Sequence, residues 1–542
     1  MSTFSISGNI ADIHNKRIFP GTVNVENGKI KSIVEDTNSY SNFIIPGFID
    51  SHIHIESSML VPSEFAREAV KKGTVATVSD PHEIANVCGM DGIEFMLENA
   101  KQTPFKFYFG APSCVPATTF ETAGAEISAN DIDILLKKPE IKYLSEMMNY
   151  PGVLYDFPDV VAKLDIAKKA GKPIDGHAPG LKGAEAQKYI SAGISTDHEC
   201  FGLDETLDKI KYGMKILIRE GSAAKNYETL KSLISSHTDS VMLCSDDKHP
   251  DDLIVSHIDD LVRRAIANGA NFFDVMKVAV INPVNHYNLD VGMLRVGDWA
   301  DFIEVNNLKD FEIIKTFING TKVAELGKSL IPSVKVTPIN QFDCLPKTAD
   351  DFKISAEGGK IRIIEALEGQ LITNLIIDDA LISNNYYEAD PSRDILKMAV
   401  VNRYKNKKVK VGFIKSFGMK KGALAGSIGH DSHNIIAVGT SDEMLAKAVN
   451  KVIASKGGIV AVDDNEEKLL ELPVGGLMST EPADVVARKY QEIDLMAKSL
   501  GSTLKAPFMT LSFMALLVIP SVKLSDLGLF DGTNFKFIDV AV

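Results

Sequence analysis

Several common signals are missing from this 542-residue chain. Its five cysteines, Cys88, Cys114, Cys200, Cys244 and Cys344, are odd in number, scattered and never spaced as C-x-x-C. That excludes a disulfide framework and a cysteine zinc site, and it predicts reduced thiols in a cytoplasmic protein. No Gly-rich phosphate-binding fingerprint occurs, because the pairs Gly457-Gly458 and Gly475-Gly476 read as turns. The most apolar stretch, 508–519, is 12 residues long, contains Thr510 and Ser512 and ends at Pro520. It is too short to span a bilayer and predicts a buried helix or strand. The opening MSTFSISGNI has no basic segment followed by an apolar one, so no secretory signal is expected. Positive charge is also short: 58 Lys and Arg stand against 72 Asp and Glu, a net charge of −14. Nucleic acid and anionic membranes are therefore disfavoured as partners, whereas a small neutral or cationic substrate is not.

What is present organises the chain. A hydrophobic content of 45% supports a large core and more than one domain. Asn27-Gly28 between TVNVE and KIKSIVE, and Asn319-Gly320 between KTFI and TKVAEL, predict two β-hairpins. Together they suggest one small β-sandwich domain built from residues 1–43 and 286–340, on either side of an inserted unit. Within the insertion, eight short runs alternate with amphipathic, helix-like stretches: 44–50, 74–80, 105–111, 141–147, 172–178, 194–200, 215–221 and 241–247. This βα alternation predicts a (β/α)8 TIM-like barrel over 44–285, with its site where the strands end. Residues 345–542 carry their own strand and helix signals and predict a C-terminal α/β or α+β domain.

Polar residues gather at the ends of these runs. His52 and His54 follow the first, Glu146 is near the end of the fourth, His177 and His198 end the fifth and sixth, and Asp246 ends the eighth. A strand's alternation turns His52 and His54 to one face, where both imidazoles can meet a single cation. Six N and O donors at one barrel end suit one or two divalent ions such as Zn, Fe(II), Mn or Co. Glu146 has two oxygens and could bridge two ions. The alternative is structural: Glu146 and Asp246 pair with Lys or Arg, and the two later histidines are hydrogen-bonded interior residues.

The segments PGFIDSHIHIESSM, SDPHEIANVCG, EMMNYPGV, GHAPGL, TDHEC and CSDDKHPDDL together resemble the adenine deaminase family of the amidohydrolase superfamily. GSIGHDSHNIIAVG is similar to that family's second domain, so the resemblance covers nearly the whole chain. It implies a binuclear centre of Mn2+ or Fe2+ held by His52, His54, Glu146, His177, His198 and Asp246. It also implies hydrolysis of adenine by water to hypoxanthine and ammonia in purine salvage. Relatives such as dihydroorotases and hydantoinases bridge their metals with a carboxylated lysine, whereas the fourth run here offers Glu146 and keeps Lys142 near its start.

Asp246 is expected to move a proton from the attacking water to the departing amino group. Glu83 in Pro81-His82-Glu83, Glu56 after the H-x-H and Glu199 beside His198 all lie near strand ends and are the candidates for the acid at the ring nitrogen. For His82 and Glu83 a structural cap or salt bridge competes with a site role. Arg219 is expected in an ion pair and Asp247 in support of the site. The segment Gly429-His430-Asp431-Ser432-His433-Asn434 reads as a turn that lacks further ligands nearby, at the barrel mouth or an oligomer contact. The expected partners are adenine, water and further copies of the chain in a homo-oligomer. Rival functions are another amidohydrolase acting on a cyclic amide or amino-heterocycle, or a noncatalytic metal-binding scaffold.

Overall fold

The computed structural model describes residues 3–222 and 224–542. The chain divides into two compact units. The first comprises Met1–His82, Glu94–Ser113 and Ser128–Lys335, and the second Glu83–Ile93, Cys114–Ile127 and Val336–Val542.

In the first unit, both ends of the long insertion meet in one eight-stranded sheet. Strands Thr3–Asp12, Arg17–Glu26, Lys29–Glu35 and Phe43–Pro46 join Phe302–Val305, Ile313–Ile318, Thr321–Glu325 and Lys328–Ser329. Phe43–Pro46 is the seam, parallel to Thr3–Asp12 and antiparallel to Phe302–Val305. Both Asn-Gly pairs turn hairpins with the two positive φ angles such tight turns need, 54° and 80° at Asn27 and Gly28, 48° and 71° at Asn319 and Gly320. Alternate residues of Arg17–Glu26 are buried, and Phe19, Val23 and Val25 pack with Ile10, Ile44 and Phe302.

The run expected over 44–50 is two strands. Phe43–Pro46 is a central strand of the sheet, and β1 (Phe48–Ile53) begins the barrel. Gly47 separates them, and a Cβ there would lie 2.3 Å from Val75 Cγ1, so only glycine lets the chain pass so close to the next strand. From β1 the strands run in parallel through β2 (Thr74–Ser79), β3 (Lys106–Ala111), β4 (Ile141–Met147) and β5 (Ile174–Gly176). They continue through β6 (Thr196–Asp197), β7 (Lys215–Arg219) and β8 (Val241–Cys244). Ser195 N donates to Ile174 O at 2.8 Å between β5 and β6. Asp246 N donates to His52 O at 2.9 Å, so the eighth strand closes on the first. This is the expected (β/α)8 barrel. The outer helix Ile258–Ala267, which follows β8, buries Ile258, Leu261, Val262 and Ala265, a single apolar stripe.

The second unit is α+β. Its main sheet runs Thr373–Asp379, Lys360–Ala366, Lys410–Lys415, Ile395–Val401, Ile435–Gly439, Ala423–Gly426, Gly458–Val462 and Glu467–Glu471. All neighbours are antiparallel except Lys360–Ala366 with Lys410–Lys415. Helix Asp442–Ala454 starts where Ser441 accepts from Met444 N, and it buries Leu445, Val449 and Val452 against Ala425, Ile435 and Val460. The apolar stretch 508–519 is buried and contributes to helix Pro507–Phe513. Among the described residues no helix is long and apolar enough to cross a membrane.

Two outcomes follow from these contacts. Gly47→Ala should destabilise the first unit by about 1–3 kcal/mol, as overpacking does. Calorimetry would read this as a lower unfolding midpoint, and adding Val75→Ala should return part of the loss. Lys523 is fully buried and donates to the Leu371 and Phe513 carbonyls, at 2.6 and 2.9 Å. Burial pushes its ammonium down to about 7. The unfolded chain then binds more protons than the folded one above that pH, so this group's contribution to stability rises with pH from 7 toward 10. Thermal midpoints of the parent chain and Lys523→Met, compared across that range, should show the parent rising relative to the variant as the pH increases.

Candidate active site

The barrel's C-terminal rim collects the predicted donors. His52 lies inside β1 and His54 one residue past it, so the pleat turns both rings the same way, and their Nε2 atoms face each other at 3.2 Å. Asp246, two residues past β8, brings Oδ1 to 3.5 Å from His52 Nε2 and 3.3 Å from His54 Nε2. It does so with a left-handed backbone, φ 53°, fixed by its N–H bond to His52 O. Glu146 comes from β4 and divides its oxygens. Oε1 is 3.4 Å from His54 Nε2, while Oε2 is 2.9 Å from His177 Nδ1 and 3.2 Å from His198 Nε2. The six residues thus form two donor groups, His52/His54/Asp246 and His177/His198, with Glu146 facing both.

Charge explains the proton affinities. Burial opposes ionisation of Glu146, yet His177 and His198 hold its carboxyl well below the usual range. Burial acts likewise on Asp246, where the Arg219 guanidinium and the histidines hold the carboxyl well down. The imidazoles move the other way against burial: His54 is raised well above its ordinary value by Asp246 and Glu146, and His177 is raised to about 9 by Glu199 and Glu146. The pocket therefore draws positive charge to itself.

The surrounding residues fix the donors. Arg219, from β7, donates Nη2 to Glu199 Oε2 at 2.9 Å and Nη1 to Glu199 Oε1 at 2.5 Å, and the same Nη1 bonds Asp246 Oδ2. It is the expected ion pair and joins the ends of β6 and β8. Asp197 accepts from Ala178 N and Glu199 N at 3.2 and 3.1 Å, and its own carboxylate is bridged by the fully buried Lys209 at 2.5 Å. Lys209 also donates to Ala178 O at 2.6 Å. This pair locks the two loops that carry His177 and His198. On the other side, Asp50 accepts from Ser245 N at 3.0 Å and contacts His257 Nε2 at 2.7 Å, tying β1 to β8. Asp247 accepts from Ser57 Oγ at 2.5 Å.

Three features were not read from the sequence. Asp80, one residue past β2, faces His82 Nδ1 with Oδ2 at 3.2 Å, and His82 Nδ1 is 3.5 Å from Glu146 Oε1. With His54 they make a further buried donor group. Asp80 ends its run as Asp246 ends its own, so the same rule would have found it. The second is the Glu199–Arg219–Asp246 link, which needs three strand ends to be registered in space. The third concerns Glu83, which belongs to the second unit and is held there by His430 Nδ1 at 3.0 Å and by His433 Nε2.

Comparison with known proteins gives these motifs a context. The amidohydrolase family model matches residues 43–323, and that of the adenine deaminase C-terminal domain matches 370–536. An adenine deaminase from Methanosarcina mazei is 54% identical over 98% of both chains. One from Sulfurovum sp. is 55% identical over 98% of this chain and 99% of its own, and one from Salinibacter ruber 50% over 99% of both. The chain belongs to the adenine deaminase family of amidohydrolases. Membership implies a divalent-metal site, and the rim fits one. Two imidazole nitrogens that face each other at 3.2 Å need a proton or a cation between their lone pairs, and His52 Nδ1 has no hydrogen-bond partner. Oxygen and imidazole donors without thiolate suit first-row divalent ions.

Lys209→Met should cost about 3–5 kcal/mol, because it strands the buried Asp197 carboxylate. Thermal unfolding should show the loss, and adding Asp197→Asn should reduce it.

Proposed function

We propose that this chain converts adenine and water to hypoxanthine and ammonia, as a cytoplasmic, homo-oligomeric enzyme of purine salvage. The observation that carries the reading is Glu146 turned toward two imidazole groups at the barrel rim, in a chain about half identical to proteins named adenine deaminase over almost its full length. His52, His54, Glu146, His177, His198 and Asp246 would hold two ions, Mn2+ or Fe2+. When bound, such ions stabilise developing negative charge and lower the proton affinity of water.

The remaining chemistry is proton movement by the chain. Water oxygen adds to C6 of adenine, the C6–N bond to the amino group breaks, and the two water protons end on ring N1 and on ammonia. Asp246 is the base for one of them. Arg219 occupies its Oδ2, so Oδ1, on the side of His52 and His54, is the oxygen that accepts a proton and returns it to the leaving amino group. Glu83 carries the other proton to N1. It directly follows His82, whose Nδ1 lies 3.5 Å from Glu146 Oε1.

Enzyme purified under iron chelation and reloaded with Mn2+ should shift the ultraviolet spectrum of adenine toward that of hypoxanthine, with release of ammonia. Asp246→Asn should abolish turnover and keep most of the metal. No spectral change with the reloaded parent enzyme, or normal turnover in Asp246→Asn, would overturn the reading.

A further inference from the structure

Two buried carboxylates behind the rim are wired alike. Asp50 Oδ1 accepts from His52 N at 3.3 Å and from Ser245 N at 3.0 Å, so it holds the backbone at His52 and just before Asp246. Its Oδ2 takes Ser245 Oγ and, at 2.7 Å, His257 Nε2. Asp197 Oδ1 accepts from Ala178 N and Glu199 N at 3.2 and 3.1 Å, which holds the backbone just after His177 and His198. Its Oδ2 takes Cys200 Sγ at 3.3 Å and Lys209 Nζ at 2.5 Å. In each case one oxygen gathers two N–H groups beside the donors of a single group, and a helix-borne side chain anchors the other oxygen or reaches it from a helix start.

The anchors differ. Asp197 has the ammonium of Lys209, whereas among the described residues no lysine or arginine pairs with Asp50, which depends on His257. His257 stands immediately before the outer helix Ile258–Ala267, 207 residues along the chain from Asp50. It is buried and held from several sides. Its N–H donates to Asp259 Oδ1 at 2.7 Å, its Nδ1 meets Thr74 Oγ1 at 2.8 Å, and Phe65 lies edge to face at 5.8 Å between centroids. A carboxylate can only accept, so Nε2 carries the proton donated to Asp50. A buried charged acceptor is costly to keep in place once such a donor is gone. Loss of the imidazole therefore frees Asp50, and with it the backbone on which His52 and Asp246 are set.

We infer that the two donor groups are held by two separate clamps, so that each clamp governs one ion of the pair. His257 is the positioning residue for His52, His54 and Asp246, acting through Asp50, as Lys209 is for His177 and His198, acting through Asp197. The inference rests on the reading that the rim holds two divalent ions.

The test titrates the full-length, metal-free chain with Mn2+ alone, counts bound ions by equilibrium dialysis, and follows electron paramagnetic resonance, which separates a spin-coupled pair from a lone ion. The parent should bind two ions and give the coupled signal. His257→Phe keeps a ring and removes the donor, and it should weaken one ion by about 10–100-fold while the other stays near the parent value. Its spectrum should be that of a lone ion. His257→Gln, whose amide N–H can replace Nε2–H, should recover much of the loss. Lys209→Met with Asp197→Asn should also weaken one ion. Joined to His257→Phe it should weaken both, because the clamps serve different ions. Val262→Ala, a cavity on the buried face of the same helix, should lower the unfolding midpoint and leave both ions as in the parent. Two tight ions in His257→Phe, an equal loss of both ions there, or one tight ion left in the combined variant would overturn the two clamps. A loss of metal in Val262→Ala matching that in His257→Phe would do the same. A parent chain that binds a single ion would overturn the two-ion reading itself, and the division into two clamps with it.

Discussion

Four carboxyl groups, from Asp80, Glu146, Glu199 and Asp246, are buried at one end of the barrel, and the Arg219 guanidinium pairs with two of them. Taking such groups from water costs several kcal/mol each unless positive charge comes with them. Every feature around them answers that deficit. Arg219 spans two of the acids, and five imidazoles, those of His52, His54, His82, His177 and His198, lie among them. The raised proton affinity of His54 and His177 is the same demand expressed in protons. Divalent ions would meet it with more charge in less volume. The barrel's contribution is to deliver each donor from a different strand end, so that no local segment could have built the cluster alone.

Precision comes from a layer of residues that touch no candidate substrate. Lys209 with Asp197, and Asp50 with His257 and Ser245, bond backbone groups next to the imidazoles. They are buried ion pairs and charge-assisted bonds whose partners come from separate elements, Asp50 from β1 and Lys209 from helix Leu203–Lys211, so each ties neighbouring strand ends together. The cost of burying them is recovered as fixed geometry at the rim.

Much of this was legible from residue order. Strand alternation with helix-like spacing marks the barrel, and both Asn-Gly pairs mark hairpins, because these are local rules. Polar residues ending apolar runs mark six donors, because a barrel strand directs its last residues to one place. Asp80 obeys the same rule, although an aspartate directly before a proline is equally a turn residue. The split of 44–50 at Gly47 was illegible, as it depends on Val75 from the next strand. The partners of Arg219 and of the His430–His433 turn were illegible for a like reason: they come from sequence positions 20–350 residues away. Distance along the chain carries no signal of which carboxylate a side chain will meet.

The interleaving of the two units has a consequence for synthesis. Segments 83–93 and 114–127 belong with residues that begin only at 336. At about 5–20 residues per second on the ribosome, the interval from residue 127 to residue 336 is roughly 10–40 s. During that time apolar residues such as Ile84, Val87 and Val115, fully buried in the finished protein, have not yet met the unit they belong to. The C-terminal unit is therefore not a module that can be cut away at a linker. Truncation before it would leave a barrel with two segments missing their own core, a state that invites chaperones and aggregation rather than a smaller working enzyme.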